Sequence, residues 1–479
     1  MMRLFRVVLA FALMTSTLVD ADHLPQLQQK VDAEYDAADE TDESETTSGD
    51  EGAILNIWCW NEEFQRYFNA YYPDVESVSK DRTTTTLKDG TTVKWTINSS
   101  LDNNYQDQLD KALMAQHRAA ADDKIDIFLF EPDYAWKYTS ADGDLAMPLS
   151  ELGITAEDLA DQYQYTKDIV TDKNGEQRAA SWIAAPGVFA YRRSIAKDVL
   201  GTDAPGEVQT ALSDWNQFDE TAAQAKDKGY YMLSGYYDSF RVFSNKLDKP
   251  WTGRADAPLA ETTTVTVDAD IMAWIEQTKE FTDNGYHHKT SLWSEEWMFD
   301  QSAEAKVFGF FLPTWGINFV LPINADEEIY GDWAVCQGPQ PYYWGGTWLA
   351  AAQETDNPTL VKDVILKLTC TKDIMQAMAE DPSIQDFANT ISGMQETADD
   401  PYFESELLGG QNPYACFAET AAAVKVTKAF VYDQGCNEEI QNAFADYFDG
   451  YIDLDTAKDH FEAAVKRRYP EITRVVWPQ

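Results

Sequence analysis

Ile54, Leu55, Ile57 and Trp58 form a short apolar run bounded by Gly52 and by the polar trio Asn61, Glu62 and Glu63, which predicts a buried strand. From Phe64 the spacing changes to the helical period. Phe64, Tyr67, Phe68, Tyr71 and Tyr72 share one helical face, and Pro73 closes the segment. The same alternation of strand and helix continues. Strands are expected over Thr92 to Ile97, Ile125 to Phe130, Phe189 to Arg192, Tyr230 to Gly235, Lys306 to Phe311, Trp333 to Gln337 and Trp344 to Ala352. Helices are expected over Leu101 to Ala121, Ile195 to Leu200, Trp215 to Lys226 and Ile271 to Phe281. Leu360 to Leu368, Asp373 to Ala379, Ala418 to Ala429, Asn437 to Phe448 and Asp455 to Lys466 also carry the helical period, so the carboxyl third is expected to be mostly helical.

This order describes an α/β protein. With 479 residues, the chain exceeds one ordinary core, since domains run to about 100 to 200 residues, and two lobes are expected. The chain is expected to cross between them near Ser181 to Pro186, where a fresh strand and helix follow a Pro-Gly pair, and again at Gly338 to Tyr343. One lobe then comprises residues 52–184 with 343–395, and the other 185–342 with 396–479. Lys249 to Val267 reads as an irregular insertion.

The amino terminus has the order of an export signal: Arg3 and Arg6, the apolar run Val7 to Met14, then Val19 and Ala21 at cleavage positions. Residues 1–21 are therefore expected to be removed on export. Residues 22–51 are acidic and poor in apolar side chains, and read as a flexible tether. No later run approaches the ~20 consecutive apolar residues of a membrane-spanning helix.

Composition narrows the partners. The formal net charge is −45, which repels phosphate backbones and argues against nucleic acid. Neutral ligands stay open. The five cysteines show no CxxC spacing, so neither a zinc site nor a dense disulfide framework is indicated. They read as buried small side chains, with one or two bridges as the alternative. His117 reads as a helix-face residue, because no second His or Cys lies at metal spacing. No cofactor motif is present.

Several longer segments carry a family resemblance: CWNEEF from Cys59, DNNYQDQLDKALMAQ from Asp102, DIFLFEPDYAWKY from Asp126, PGVFAYRRSIAKDVLG from Pro186, YYMLSGYYDSFRVFSN from Tyr230, KVFGFFLPTWGINF from Lys306 and GDWAVCQGPQPYYWGGTWLAAA from Gly331. In their order and spacing, from about Ala53 to Tyr469, the chain resembles the extracellular solute-binding proteins of ATP-binding-cassette importers. The similarity is to the carbohydrate-binding group related to maltose-binding protein. The resemblance implies two α/β lobes with a hinge between them, a monomer that binds a carbohydrate in the cleft, and delivery to a membrane permease without covalent chemistry. Gram-positive relatives carry a lipobox Cys after the signal. Thr15 to Asp22 contains none, so lipid anchoring is not expected here.

In open α/β sheets ligands sit beyond the carboxyl ends of the strands. A sugar presents C–H faces and hydroxyl rims, which call for aromatic platforms and fixed polar groups. The strand ends supply Trp60, Asn61, Glu62, Glu131 and Asp133 from the first lobe, and Tyr236, Asp238, Arg241 and Trp315 from the second. Trp182 and Trp344 lie near the crossings. Glu62 has helix capping as its structural alternative, and Arg241 has pairing with Asp238.

Two other functions fit part of the pattern. A secreted glycoside hydrolase would need two carboxyls about 5 to 10 Å apart, one of them kept protonated. With 82 acidic residues such pairs arise by chance, and the helical carboxyl third opposes a (β/α)8 barrel. A peptide-binding protein of the same fold is the other alternative.

Overall fold

In the computed structural model, β1 (Ile54–Cys59) lies inside a seven-stranded sheet, with Leu55, Ile57 and Cys59 buried. The structure describes residues 52–247, 250–252, 263–381, 386–426 and 430–478; the expected signal, the tether and part of the insertion at 249–267 lie outside them. The sheet also contains β2 (Val75–Val78), β3 (Thr84–Leu87), β4 (Thr92–Ile97), β5 (Ile127–Phe130) and β6 (Ala180–Ser181). β4 and β5 flank β1 in parallel; β1 and β5 read as apolar runs because a parallel sheet is covered on both faces, whereas β4 alternates buried and more exposed positions. The helix Glu63–Tyr71 buries Phe64, Tyr67 and Phe68, the face that the spacing predicted.

A second sheet is built around β7 (Pro186–Arg192), every residue of which is buried. The chain then forms β8 (Leu233–Gly235), β9 (Thr264–Thr266), β10 (His287–Thr290), β11 (Gly309–Pro313), β12 (Trp333–Cys336) and β13 (Tyr342–Tyr343). β11, β12 and β13 all pair antiparallel with β7. β14 (Trp348–Ala351) returns to the first sheet, antiparallel between β5 and β6. β15 (Arg474–Val476) closes the chain beside β9.

Two runs of backbone connect the two sheets side by side. The first joins β6 to β7 and the second joins β13 to β14; they are held together by Trp344 N–H donating to Ala185 O at 3.0 Å. The segment around Phe387 lies alongside them. Ala184 N–H donates to Phe387 O at 3.0 Å, and Asn389 N–H donates to Trp182 O at 2.8 Å. Gly187 permits this join, because a Cβ there would lie 2.0 Å from the ring of its cross-strand neighbour Tyr342. The helix Tyr414–Ala423 buries Tyr414 and Phe417, and the helices Asp433–Phe448 and Leu454–Arg468 pack together in the second body.

The differences from the sequence reading have local causes. β2 and β3 form the outer edge of the first sheet and are largely polar, so they lack an apolar signal. The stretch Leu101 to Ala121 breaks into the helix Asn104–Met114 and flanking 3-10 turns, with Asn103 left-handed at φ 59°. The helix Ile391–Asp399 was not expected; it starts where Thr390 Oγ1 accepts from Gly393 N–H at 3.2 Å. All five cysteines are free, with Cys59, Cys336 and Cys436 buried, which favours their reading as small apolar filler over bridges.

Candidate functional site

The loops after β5 and β8 bring opposite charges together across the two bodies. Asp133 follows β5, and Arg241 stands on the helix Phe240–Ser244; their closest N···O distance is 3.3 Å. Burial alone would lower the Arg241 pKa, but Asp133, supported by Tyr343 and Glu131, more than offsets this and raises it. Both side chains keep partial access to water, so the pair orients the two loops more than it stabilises them.

The Arg241 guanidinium lies 5.6 Å from the ring centre of Trp344. Trp344 meets Trp315 edge-on at 5.7 Å, and the Trp315 indole N–H donates to Trp344 O at 2.9 Å. Trp293 joins them, stacked on Trp315 at 6.2 Å and tilted on Trp344 at 5.5 Å. Trp293 takes φ 69°, a left-handed conformation unusual for a large side chain. Three indoles, an arginine and a carboxylate, from the segments after β5, β8, β10, β11 and β13, thus meet.

Next to the join lies a second polar group. Asp386 is 4% exposed; its Oδ1 accepts from Thr314 Oγ1 at 2.9 Å and Phe387 N–H at 2.7 Å. Its Oδ2 has no hydrogen-bond partner among the described residues. Burial pushes this carboxyl up to about 7, and the negative charge of Glu63 adds to the shift. Glu63, partly accessible at the start of its helix, is itself raised by burial and drawn back by Arg66. Trp182, 3% exposed, packs on Phe64 at 5.1 Å and Tyr67 at 5.7 Å, and its indole N–H is unpartnered.

No protein-family model and no curated protein sequence matches the chain. Solved structures do match it in three dimensions. A crystal structure of an extracellular solute-binding protein of family 1 superposes with TM-score 0.70 at 17% identity, covering 87% of this chain and 99% of that one. The chain has a solute-binding-protein fold. The sugar-binding protein MalE from the phytopathogen Xanthomonas citri gives TM-score 0.62 at 12% identity, over 87% of this chain and 98% of its own. The galacto-N-biose-/lacto-N-biose I-binding protein of the ABC transporter from Bifidobacterium longum, in complex with lacto-N-biose, gives 0.60 at 13%, over 88% and 99%. The two-lobed α/β architecture expected from the sequence is the one these proteins share.

Within this solute-binding-protein fold the residues chosen from sequence separate into groups. Asp133, Arg241, Trp315 and Trp344 come together as described, and Glu131 acts electrostatically on Arg241. Trp182 lies at the join, against the first helix. Asn61 starts that helix, its Oδ1 accepting from Glu63 N–H at 2.9 Å. Trp60 is 7% exposed and meets Tyr105 edge-on at 5.7 Å, as a core residue does. Glu62 points to solvent 3.6 Å from Arg82 and makes no side-chain cap bond, so capping does not explain it. Tyr236 turns away, donating to Asp449 at 2.9 Å and stacking on Phe448. Asp238 closes its own loop, accepting from Ser234 N–H, Gly235 N–H and Trp297 Nε1–H, so Arg241 pairs with Asp133 instead.

Glu63, Asp386 and Trp293 were missed. Glu63 was legible, because it precedes Tyr67 and Tyr71 at four-residue steps and shares their helix face. Asp386 sits in a non-periodic stretch, and Trp293 depends on a left-handed backbone that spacing does not reveal.

Asp238, Asp386 and Asp433 are each pushed up to about 7, above all by burial. The folded chain keeps protons that the unfolded chain releases near 3.9, so this contribution to stability is full at low pH and falls as pH rises towards about 7. His287, lowered by burial to about 4, acts in the opposite sense below about 6.5. Three carboxyls outweigh one imidazole. The melting temperature is expected to be higher at about pH 5.5 than at about pH 8, and Asp433→Asn is expected to reduce the difference. Scanning calorimetry that found an equal or higher value at the alkaline pH would contradict this.

Proposed function

We propose that this protein captures a sugar or short oligosaccharide outside the cell, between its two lobes, and delivers it to the membrane permease of an ATP-binding-cassette importer. The observation that carries the proposal is the meeting of Trp293, Trp315 and Trp344 with Arg241 and Asp133 between the two sheets. Flat indoles suit the C–H faces of a pyranose, and the ion pair suits its hydroxyls. Similar folds in complex with lacto-N-biose, with beta-1,6-galactobiose and with maltose support a carbohydrate.

On this reading, residues 52–184 with 343–395 form one lobe and residues 185–342 with 396–479 the other, and they close about the runs that connect them. The chain acts as an exported monomer, and binding rather than turnover is its task. Among the described residues no helix is long and apolar enough to cross a membrane.

A thermal-shift screen of the purified chain against mono- and oligosaccharides, polyols and short peptides tests this, with product analysis on the same samples. A ligand that binds only the folded state at a hundredfold excess over Kd adds about 2.7 kcal/mol. A shift with a sugar that is recovered intact is the expected result. Sugar cleaved into smaller products, or a shift with peptides alone, would overturn the proposal.

A further inference from the structure

The polar group at the join is incompletely satisfied in a specific way. Among the described residues, Asp386 Oδ2 is a buried acceptor without a donor, and Trp182 Nε1–H is a buried donor without an acceptor. The backbone sets them on adjacent runs, since Asn389 N–H bonds Trp182 O and Ala184 N–H bonds Phe387 O. Glu63 brings a second carboxylate, and Tyr67 feels both Glu63 and Asp386 while packing on Trp182. A lone unsatisfied carboxylate oxygen in such a place costs free energy that a matching ligand group would recover.

Around Tyr67 three carboxylates, Glu63, Asp386 and Asp381, face one cation, Arg66. Glu63 raises the Asp386 pKa, and Asp381 adds to the negative field at Tyr67. Arg66, which acts on Glu63 and Tyr67, is exposed to solvent. Arg241 is committed to Asp133 and Trp344.

We infer that the cleft contains a cation subsite, formed by Asp386 and Glu63 with Trp182 beside them, and that the preferred sugar carries a protonated amine next to a hydroxyl. The ammonium donates to the free Asp386 oxygen and neutralises the Glu63–Asp386 repulsion, while the neighbouring hydroxyl oxygen accepts from the Trp182 indole. This rests on the proposed sugar-binding function and specifies its ligand class. It has a thermodynamic signature. A bound cation pulls the two raised carboxyls back towards their ordinary range, so protons leave the protein on binding.

Isothermal titration of the purified chain at about pH 6.5, in two buffers of different ionisation heat, reads affinity and proton release together. The probes are a glucosamine oligosaccharide, its N-acetylated counterpart and a neutral glucose oligosaccharide of the same linkage and length. The amine is expected to bind at least about tenfold more tightly than either, with net proton release. Asp386→Asn is expected to abolish that preference and the proton release; Glu63→Gln, at a more accessible position, is expected to weaken both. If a neutral or acetylated sugar bound as tightly as the amine, the cation subsite would be refuted and the sugar-binding function would stand. Binding by none of the three would count against both.

Discussion

Trp315→Ala is expected to weaken sugar binding by about 10- to 100-fold while the protein stays folded, because buried aromatic anchors at a binding site are each worth about 1.4 to 3 kcal/mol. Trp315 is half-buried, stacked on Trp293 and bonded through its indole N–H to Trp344 O, so its truncation removes a surface that meets the cleft. Its loss also leaves a hole beside Gly345, whose open face lies against that indole. The site should bind less well before the core notices. Titration calorimetry with the sugar found by screening, run beside a thermal melt, separates the two effects. An affinity unchanged within about twofold would remove the indole group from the site.

Trp60→Ala should behave in the opposite manner. Trp60 follows β1, is 7% exposed and lies against Tyr105, which itself donates to Leu129 O at 2.7 Å. Truncating a buried Trp costs about 3 to 5 kcal/mol, from lost burial and from the cavity left behind. Denaturant unfolding should therefore show a strongly destabilised first lobe, with binding reduced only as far as the folded fraction falls. A normally stable variant with abolished binding would instead make Trp60 a platform that the ligand covers.

The contrast between these two tryptophans shows what the sequence could and could not convey. Both sit at strand ends and are alike in a linear reading. What separates them is the neighbourhood that tertiary packing supplies: Tyr105 from the helix Asn104–Met114 for Trp60, and Trp293 and Trp344 for Trp315. The architecture was easier to read. Apolar runs such as Ile54 to Trp58 and Phe189 to Arg192 become the inner strands of the two sheets, because strands covered on both faces keep few polar positions. The edge strands β2 and β3 left no such record.

At the site, charge alone was ambiguous. Glu62 and Glu63 are neighbours in sequence, yet the helix turns one towards Arg82 and water and the other towards Tyr67. Helical phase could have told them apart. Asp238 and Arg241, close in sequence and opposite in charge, suggested a local pair; backbone N–H groups and Trp297 take the carboxylate, and Arg241 reaches across to Asp133. Asp386 had no signal at all, since its burial depends on three distant segments meeting at the join.

The most direct measurement is small-angle X-ray scattering of the purified chain, without ligand and at saturation with the sugar found by screening, with the sugar analysed afterwards. Closure of two lobes on a sugar held at Trp293, Trp315 and Trp344 should shrink the radius of gyration, and the sugar should be recovered intact. An unchanged radius at saturation, or a sugar recovered as fragments, would contradict capture by lobe closure.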